Sequence, residues 1–229
     1  MFGKRKHNDI FFGYNTKKTK KTKDSEKSDD EESIKDNLLS SLSKKNSDTK
    51  IERENNHIYF YSEVERESIF ELIALIREAE EESILTSLKL NIDEVPILLH
   101  INSLGGSVYN ALLAIDVITS CKVPIHTIIE GATASAGTLI SIVGKKRYIR
   151  PSARMLIHQL SSECWGKMSE IEDEYQNLKD LMEEIKKIYK DNTSIPKKEI
   201  EKILKHDLWF DSNKCIQYGL ADELWTSSN

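Results

Sequence analysis

The chain has 229 residues, of which 38% are hydrophobic, and a formal net charge of −5. This length suits one domain with a tail or two small domains, and the composition allows a sizeable core. No apolar run approaches the ~18 residues that a membrane span needs, and no apolar segment follows the N-terminal basic residues as in a secretory signal. The sequence therefore predicts neither a membrane association nor export.

Charge is distributed unevenly along the chain. Residues 1–50 contain 13 lysines and arginines against 9 acidic residues, whereas the remainder contains 20 against 29. An acidic globular part argues against nucleic acid as the main ligand, because phosphate binding needs a basic face. The cysteines at positions 121, 164 and 215 lack metal-ligand spacing and cannot all pair, which favours buried or inert thiols in a reducing, cytoplasmic setting.

Residues 1–50 have the composition of a disordered tail. A lysine-rich run covers residues 17–23, and a serine-rich acidic run covers residues 24–32. Such segments bury too little apolar surface to offset chain entropy. An organelle-targeting peptide, a nuclear address at Gly3–His7 and a regulatory arm are the alternatives to a solvated tail. We therefore place a single globular domain at residues 51–229.

From residue 57 onward, predicted strands and helices alternate. Apolar patterns predict strands at residues 57–61, 97–101, 124–130, 147–149 and 155–157. Helical patterns occur at residues 63–82, 108–120, 138–143, 168–190 and 197–206. Residues 83–96 form a long linker in this scheme, and Ser194 and Pro196 suit the cap and first turn of the last helix. The alternation predicts an α/β fold with right-handed crossovers.

The helix at residues 168–190 has an apolar stripe with heptad-like spacing. Its members recur in steps of four and three: Ile171, Tyr175, Leu178, Met182, Ile185 and Tyr189. Charged residues occupy the rest of the surface, so the stripe either packs on the chain's own core or seals a partner subunit. The sequence leaves both possibilities open.

The segment Gly131–Gly137, GATASAG, surrounds one hydroxyl with small residues. It lies between a predicted strand and a predicted helix, where Ser135 would stand at the helix N-terminus. Unpaired N–H groups and the helix dipole at such a junction can face a developing anion. Ser135 is therefore a candidate nucleophile, although a small-residue turn before a buried helix also occurs for packing alone.

A serine nucleophile needs a base and a group that orients that base. His158 follows a short apolar strand, where a fold can display a polar side chain at a cleft. His100 and His126 alternate within strands and are expected to be structural. Asp207 begins the segment DLWF after a charged helix and is a candidate orienting carboxylate, with a salt bridge or helix-end role as the alternative.

The glycine pair Gly105-Gly106 lies between a strand and a helix. Bare backbone at such a turn can direct N–H groups at an oxyanion. The nucleotide-binding alternative lacks both the G-x-G-x-x-G pattern and a Gly-Lys-Ser/Thr phosphate loop. A simple tight turn is the remaining alternative.

Five segments, in this order, resemble the ClpP family, the proteolytic subunits of Clp proteases. They are INSLGGS at 101–107, GATASAG at 131–137, MLIHQ at 155–159, HDLWF at 206–210 and YGLAD at 218–222. The resemblance covers about residues 57–226. It implies an α/β fold of the ClpP/crotonase type, a spiral of repeated β-β-α units with a long protruding handle helix at residues 168–190.

The resemblance also implies roles for individual residues. Ser135 would be the nucleophile, His158 the general base and Asp207 the orienting carboxylate, with the N–H groups of Gly106 and Ala136 as the oxyanion hole. The expected reaction is peptide-bond hydrolysis through an acyl-enzyme, with no metal or cofactor. The expected substrates are peptides or unfolded proteins, enclosed by two stacked heptameric rings and supplied by an AAA+ unfoldase.

Some positions depart from the family pattern. Leu104 replaces a proline, Leu160–Ser162 replaces a glycine-containing segment that lines the substrate, and residues 30–56 lack the family's entrance segment. These departures motivate a second interpretation, a processing protease of the phage capsid type that acts without an ATPase. A crotonase-like acyl-CoA enzyme is disfavoured by the three candidate residues, and an inactive ring subunit remains a further alternative.

Overall fold

The computed structural model describes residues 50–226, and the tail predicted at residues 1–50 lies almost entirely outside this range. Eight strands are present within it: β1 Lys50–Glu54, β2 His57–Tyr61, β3 Ile97–Ser103, β4 Ile125–Ala134, β5 Lys146–Ile149, β6 Arg154–Leu156, β7 Trp209–Phe210 and β8 Glu223–Leu224. The helices of this range are α1 Arg66–Leu90, α2 Val108–Ser120, α3 Ala136–Ile142, α4 Met168–Asn192, α5 Lys197–Ile203 and α6 Ser212–Gln217.

The strands form one mixed sheet in the order β1-β2-β3-β4-β5-β8, and β6 and β7 extend it from the end of β4. The β2-β3, β3-β4, β4-β5, β4-β6 and β5-β8 pairs are parallel, whereas β1-β2 and β6-β7 are antiparallel. Parallel neighbours joined through helices confirm the predicted α/β class. No helix in residues 50–226 is long and apolar enough to span a membrane.

Alternate residues of the central strands face the helices. In β2 the core-facing residues are Ile58 and Phe60, and in β3 they are Leu99 and Ile101, all fully buried. The period-two alternation puts every second side chain on one face. The helices α1 and α3 contact the sheet, and α2 packs on both of these helices. Their apolar stripes and the strand residues make one continuous core.

Strand β4 bends where the sequence analysis expects it to end. Its pairing with β3 shifts register between Ile101 and Ser103, and Gly131 lies in the bend with φ +62°. A side chain at Gly131 would come within 3.1 Å of the Asn102 amide. Beyond the bend, β4 continues to Ala134 and pairs with β6 instead of β5. The bend therefore carries the end of β4 towards β6.

Helix α1 continues to Leu90, so the linker predicted at residues 83–96 is wrong for its first half. Residues 83–90 contain no glycine or proline, and the helix ends at Asn91, which is left-handed with φ 51° and ψ 49°. The Asn91 N–H donates to the Ser87 carbonyl, as in a C-terminal cap. The Ser83 hydroxyl then donates to the Val95 carbonyl at 2.6 Å and fixes the return to β3.

The long helix α4 has two different halves. Its C-terminal half packs on the core through Leu181, Ile185 and Tyr189, whereas Ile171 and Tyr175 in the N-terminal half are exposed. The apolar stripe therefore serves the chain's own core only from its middle onward. Met168, the first residue of α4, is 71% exposed, and Trp165, three residues earlier in the chain, is 95% exposed.

The predicted cap of the helix near residue 197 and the predicted state of the cysteines can also be compared with the structure. Helix α5 begins at Lys197, as predicted, but its N-cap is Pro196, so the cap predicted at Ser194 is wrong. The three cysteines are unpaired; Cys215 is buried, Cys121 is half-buried and Cys164 is exposed. The expectation is of buried or inert thiols; Cys164, in the irregular segment between β6 and α4, is not buried.

Candidate active site

Ser135 occupies the junction between β4 and α3 in a strained conformation. Its φ of 57° and ψ of −129° lie outside the regions that residues with a side chain normally adopt. Its N–H donates to the Leu156 carbonyl at 2.9 Å, and its carbonyl accepts from the Thr138 N–H at 3.0 Å. The side chain is buried, with 3% of the residue exposed. The candidate nucleophile is therefore a buried serine at a strained junction between a strand and a helix.

The glycine turn after β3 packs directly against this serine. A Cβ atom on Gly105 would lie 2.6 Å from the Ser135 Cβ and 3.0 Å from its Oγ, and Gly105 has φ +103°. A Cβ on Gly106 would meet the Val64 carbonyl oxygen at 2.5 Å. Both positions thus need glycine, for space as well as for backbone conformation. The sequence pattern indicated the turn but not its contact with Ser135.

His158 reaches the same region through strand pairing. Strand β6 runs parallel to β4, with Ala134 opposite Leu156. His158 comes two residues after Leu156, whose carbonyl binds the Ser135 N–H. The Gln159 N–H donates to the Leu204 carbonyl at 2.7 Å, so the chain on either side of His158 is fixed by backbone hydrogen bonds. Ser135 and His158 thus both follow the ends of two paired parallel strands, β4 and β6, at the same edge of the sheet.

Asp207 is placed by the antiparallel partner of β6. Leu156 pairs with Trp209 and Met155 with Phe210, and the same register extended by two residues sets His158 opposite Asp207. The Nδ1 atom of His158 lies 3.8 Å from Oδ1 of Asp207. Both strands are short, so the contact sits just beyond their paired residues. Strand β6 therefore contacts both the Ser135 backbone, through Leu156, and the strand that follows Asp207.

Burial decreases from the serine to the carboxylate. The His158 side chain is 19% exposed and that of Asp207 is 62% exposed. Burial lowers the pKa of His158, and the Asp207 carboxylate opposes this effect without cancelling it. The imidazole is therefore neutral at pH 7, which is the form that can accept a proton.

The Ser135 hydroxyl is not held by a hydrogen bond in this state. Within the described part of the chain, its Oγ is buried without a hydrogen-bond partner. A buried hydroxyl without a partner lowers the stability of the fold, and a catalytic role is one explanation for it. Catalytic hydrogen bonds often tighten only when substrate binds. A serine hydroxyl, a neutral imidazole and a carboxylate are the three groups that this type of acyl transfer requires.

Of the two backbone groups predicted as an oxyanion hole, that of Ala136 directly follows Ser135 in the chain and that of Gly106 lies in the glycine turn after β3. Ala136 is the first residue of α3 and is fully buried. In the glycine turn, Val64 donates to the Gly105 carbonyl at 2.7 Å, and Ser107 donates to the Val64 carbonyl at 2.8 Å. The Gly106 N–H takes part in neither bond. The two bonds together make up the β-bridge between Val64 and Gly106.

Two features near the site were missed by the sequence analysis. Thr138 and Tyr189 form a hydrogen bond between their hydroxyls, and Thr138 also donates to Ser135. A hydroxyl three residues after the serine gave no signal by itself, and Tyr189 was read only as part of the apolar stripe. Contacts between residues 51 positions apart are decided by packing.

His57, His100 and His126 lie in the sheet, on β2, β3 and β4. The ring of His100 is stacked on Tyr59, and its Nε2 lies 2.9 Å from Nδ1 of His57. Its Nδ1 lies 3.3 Å from Oε1 of Glu130. Glu130 also accepts hydrogen bonds from Tyr61 and Arg150. This network agrees with the expectation that His100 is structural.

Comparison with known sequences agrees with these observations. Residues 52–228 match the family described as Clp protease. The chain is also 35% identical over 132 residues to the ATP-dependent Clp protease proteolytic subunit of Streptococcus mutans serotype c (strain ATCC 700610 / UA159). That match covers 56% of this chain and 67% of the relative.

Proposed function

Since this chain belongs to the Clp protease family and is a Clp-type serine endopeptidase, we propose that Ser135, His158 and Asp207 are its catalytic triad. The observation that carries the assignment is the position of β6 between β4 and β7. One side of β6 accepts the Ser135 N–H, and the other side sets Asp207 opposite His158. The proposed peptidase domain spans residues 51–229.

The reaction follows from these positions. Neutral His158 takes the proton from Ser135 Oγ as the oxygen attacks the scissile carbonyl carbon. The imidazolium then gives this proton to the leaving amine, which breaks the C–N bond and leaves an acyl-enzyme. A water molecule, deprotonated by His158, attacks the ester, and the proton returns to Ser135. Asp207 orients the ring and stabilises its charged form.

Charge develops on the carbonyl oxygen in both steps. We assign its binding to the N–H groups of Gly106 and Ala136. The removal of one such donor costs roughly 10²–10³ in rate in a studied hydrolase. The strain at Ser135 and the missing side chains at positions 105 and 106 support this assignment, because both let backbone approach the reacting atoms.

The proposed working form is a barrel of two stacked heptameric rings. The exposed apolar half of α4 supports assembly, since Met168 and Tyr175 are 71% and 64% exposed on an otherwise charged helix. The S. mutans relative is named as the proteolytic subunit of an ATP-dependent protease. We therefore propose that the barrel degrades unfolded proteins delivered by an AAA+ unfoldase.

A fluorophosphonate probe tests the triad. We expect it to label the assembled wild-type protein at Ser135, with the adduct located by mass spectrometry, and to abolish peptide hydrolysis. Ser135→Ala should lose both labelling and hydrolysis at unchanged native mass. Ser152→Ala, at an exposed serine in the turn between β5 and β6, is the matched control and should keep both. Labelling elsewhere, or activity in Ser135→Ala, would refute the assignment.

The partnership needs a separate experiment. The wild-type barrel is mixed with a Clp-type unfoldase, ATP and a folded tagged substrate, and degradation is followed with time. Degradation that requires ATP supports delivery by an unfoldase. Hydrolysis of peptides without any degradation in the mixture would favour the processing protease that acts without an ATPase.

A further inference from the structure

The backbone carbonyl of Ser135 is held by one residue, Thr138. It accepts the Thr138 N–H at 3.0 Å and the Thr138 hydroxyl at 2.6 Å. Thr138 is fully buried. Since the φ of 57° at Ser135 is unfavourable for a residue with a side chain, surrounding contacts must maintain it. Two hydrogen bonds on one carbonyl supply such a contact directly at the strained residue.

Tyr189 of α4 completes this contact. Its hydroxyl lies 2.5 Å from the Thr138 Oγ1, and 2% of the residue is exposed. A carbonyl oxygen can only accept, so the single hydroxyl proton of Thr138 goes to Ser135. Tyr189 must then be the donor to Thr138. The direction of the chain is therefore fixed as Tyr189 to Thr138 to Ser135.

We propose that Thr138 and Tyr189 are positioning residues for the nucleophile. They act through the Ser135 backbone, and the inference rests on the proposed role of Ser135. By holding the carbonyl, they fix the peptide plane between Ser135 and Ala136. That plane contains the Ser135 Cα, to which the side chain is attached, and the Ala136 N–H assigned to the oxyanion hole. Rotation of this plane would misplace both groups together.

Helix α3, which begins directly after Ser135, accepts a second buried threonine hydrogen bond that does not involve Ser135. The Thr127 hydroxyl donates to the Ser141 carbonyl at 2.6 Å, and Thr127 is also fully buried. This bond has the same chemistry and length as the one at Ser135, but it holds the far end of α3. Thr127→Val therefore measures what the loss of a buried threonine hydroxyl does to stability alone.

The experiment compares four variants with the wild type in the assembled state. Tyr189→Phe and Thr138→Val remove one hydroxyl each, Thr138→Ser keeps the hydroxyl, and Thr127→Val is the structural control. We measure kcat and KM on a short peptide, the rate of fluorophosphonate labelling at Ser135, the pH profile and the thermal midpoint. The labelling rate reports the position of the nucleophile without peptide binding.

We expect Tyr189→Phe and Thr138→Val to lower kcat and the labelling rate by about tenfold, because small displacements of reacting groups are costly. KM and the acid limb of the pH profile should stay unchanged, since neither substrate binding nor His158 is altered. Thr138→Ser should keep near wild-type rates. Thr127→Val should lose thermal stability but keep kcat. The double variant Tyr189→Phe/Thr138→Val should resemble Thr138→Val, because both act in one chain.

Several outcomes would overturn the inference. Wild-type rates in Thr138→Val, or an equal loss of kcat in Thr127→Val, would show that the hydroxyl chain has only a structural role. If Tyr189→Phe does not fold, the comparison of Thr138→Val with Thr138→Ser decides the question. A wild-type protein that is not labelled at Ser135 refutes the proposed triad itself, which distinguishes that failure from failure of the positioning role.

Discussion

Asp207 stands opposite His158 because β6 and β7 are antiparallel, and their register extends two residues beyond the paired strands. The 3.8 Å between Nδ1 and Oδ1 is at the long end of an ion-pair contact. The carboxylate is largely exposed, so water screens its effect on the ring. Orientation of the imidazole is therefore the main contribution we expect from Asp207.

The first prediction concerns Asp207→Asn. The acid limb of the wild-type kcat/KM profile should fall below pH ~6.5, the ordinary pKa of histidine, because burial lowers the pKa of His158. Since the carboxylate opposes this lowering, its removal should move the acid limb to still lower pH. The plateau should fall by ~10²–10⁴ as the ring loses its orientation.

Peptide hydrolysis from pH 5 to 9 measures both effects. Asp191→Asn, at an exposed carboxylate near the end of α4, is the control and should leave the profile unchanged. An acid limb that moves to higher pH in Asp207→Asn would contradict the assigned electrostatics.

A second prediction concerns the glycine turn. Gly105→Ala places a Cβ 2.6 Å from the Ser135 Cβ at a φ of +103°. We expect a loss of about 10² in kcat from displacement of Ser135, and a loss of about 1–3 kcal/mol in stability from backbone strain. Rates of labelling and hydrolysis, with the free energy of unfolding, measure the two effects.

Gly219→Ala separates strain from displacement. Its φ is +65°, and its Cβ would come within 2.7 Å of the Ser194 hydroxyl. We expect a comparable loss of stability with kcat retained in the folded fraction. Equal catalytic losses in both variants would argue against a specific role for Gly105.

A third prediction follows from the buried carboxylate of Glu130. Burial raises its pKa, but hydrogen bonds from His100, Tyr61 and Arg150 outweigh burial and hold the pKa at about 2. A carboxyl whose pKa is depressed in the folded state stabilises it above the unfolded value. This contribution should disappear as the pH falls from about 4.5 towards about 2.

Glu130→Gln should therefore flatten the acid dependence of stability. At pH 7 we expect it to lose about 1–3 kcal/mol, because the partners of the carboxylate lose a charged acceptor. Urea unfolding at several pH values measures both quantities. Glu163→Gln, at an exposed glutamate, should match the wild type throughout. An unchanged acid dependence in Glu130→Gln would contradict the depressed pKa.

A fourth prediction tests the exposed half of α4. Tyr175→Asp places a charge on the stripe where the side chain is 64% exposed in the single chain. We expect native mass to fall and hydrolysis to be lost with it, while helix content and the chain's own fold persist. Asn177→Asp adds the same charge away from the stripe and should leave native mass unchanged. A wild-type native mass in Tyr175→Asp would exclude this surface from the assembly.

The ordered motifs of the sequence predict the fold class and the type of reaction of this protein. The small residues around Ser135 and the glycine pair before a helix can be interpreted locally, because both leave room for backbone to approach. The HQ and HD segments can be recognised by their order in the chain. The alternation of strands and helices is likewise written in apolar periodicity. The α/β class and the endopeptidase function were therefore accessible from the sequence, and the family match confirms them.

Tertiary structure decided how these pieces meet. The bend at Gly131 sends β4 to β6, and the two short strands β6 and β7 set His158 against Asp207, although neither is long enough to signal its pairing. The contact of Tyr189 with Thr138 and the division of α4 into a buried and an exposed half depend on which surfaces the core covers. Periodicity marks a face as apolar, but only packing in three dimensions selects what lies against it.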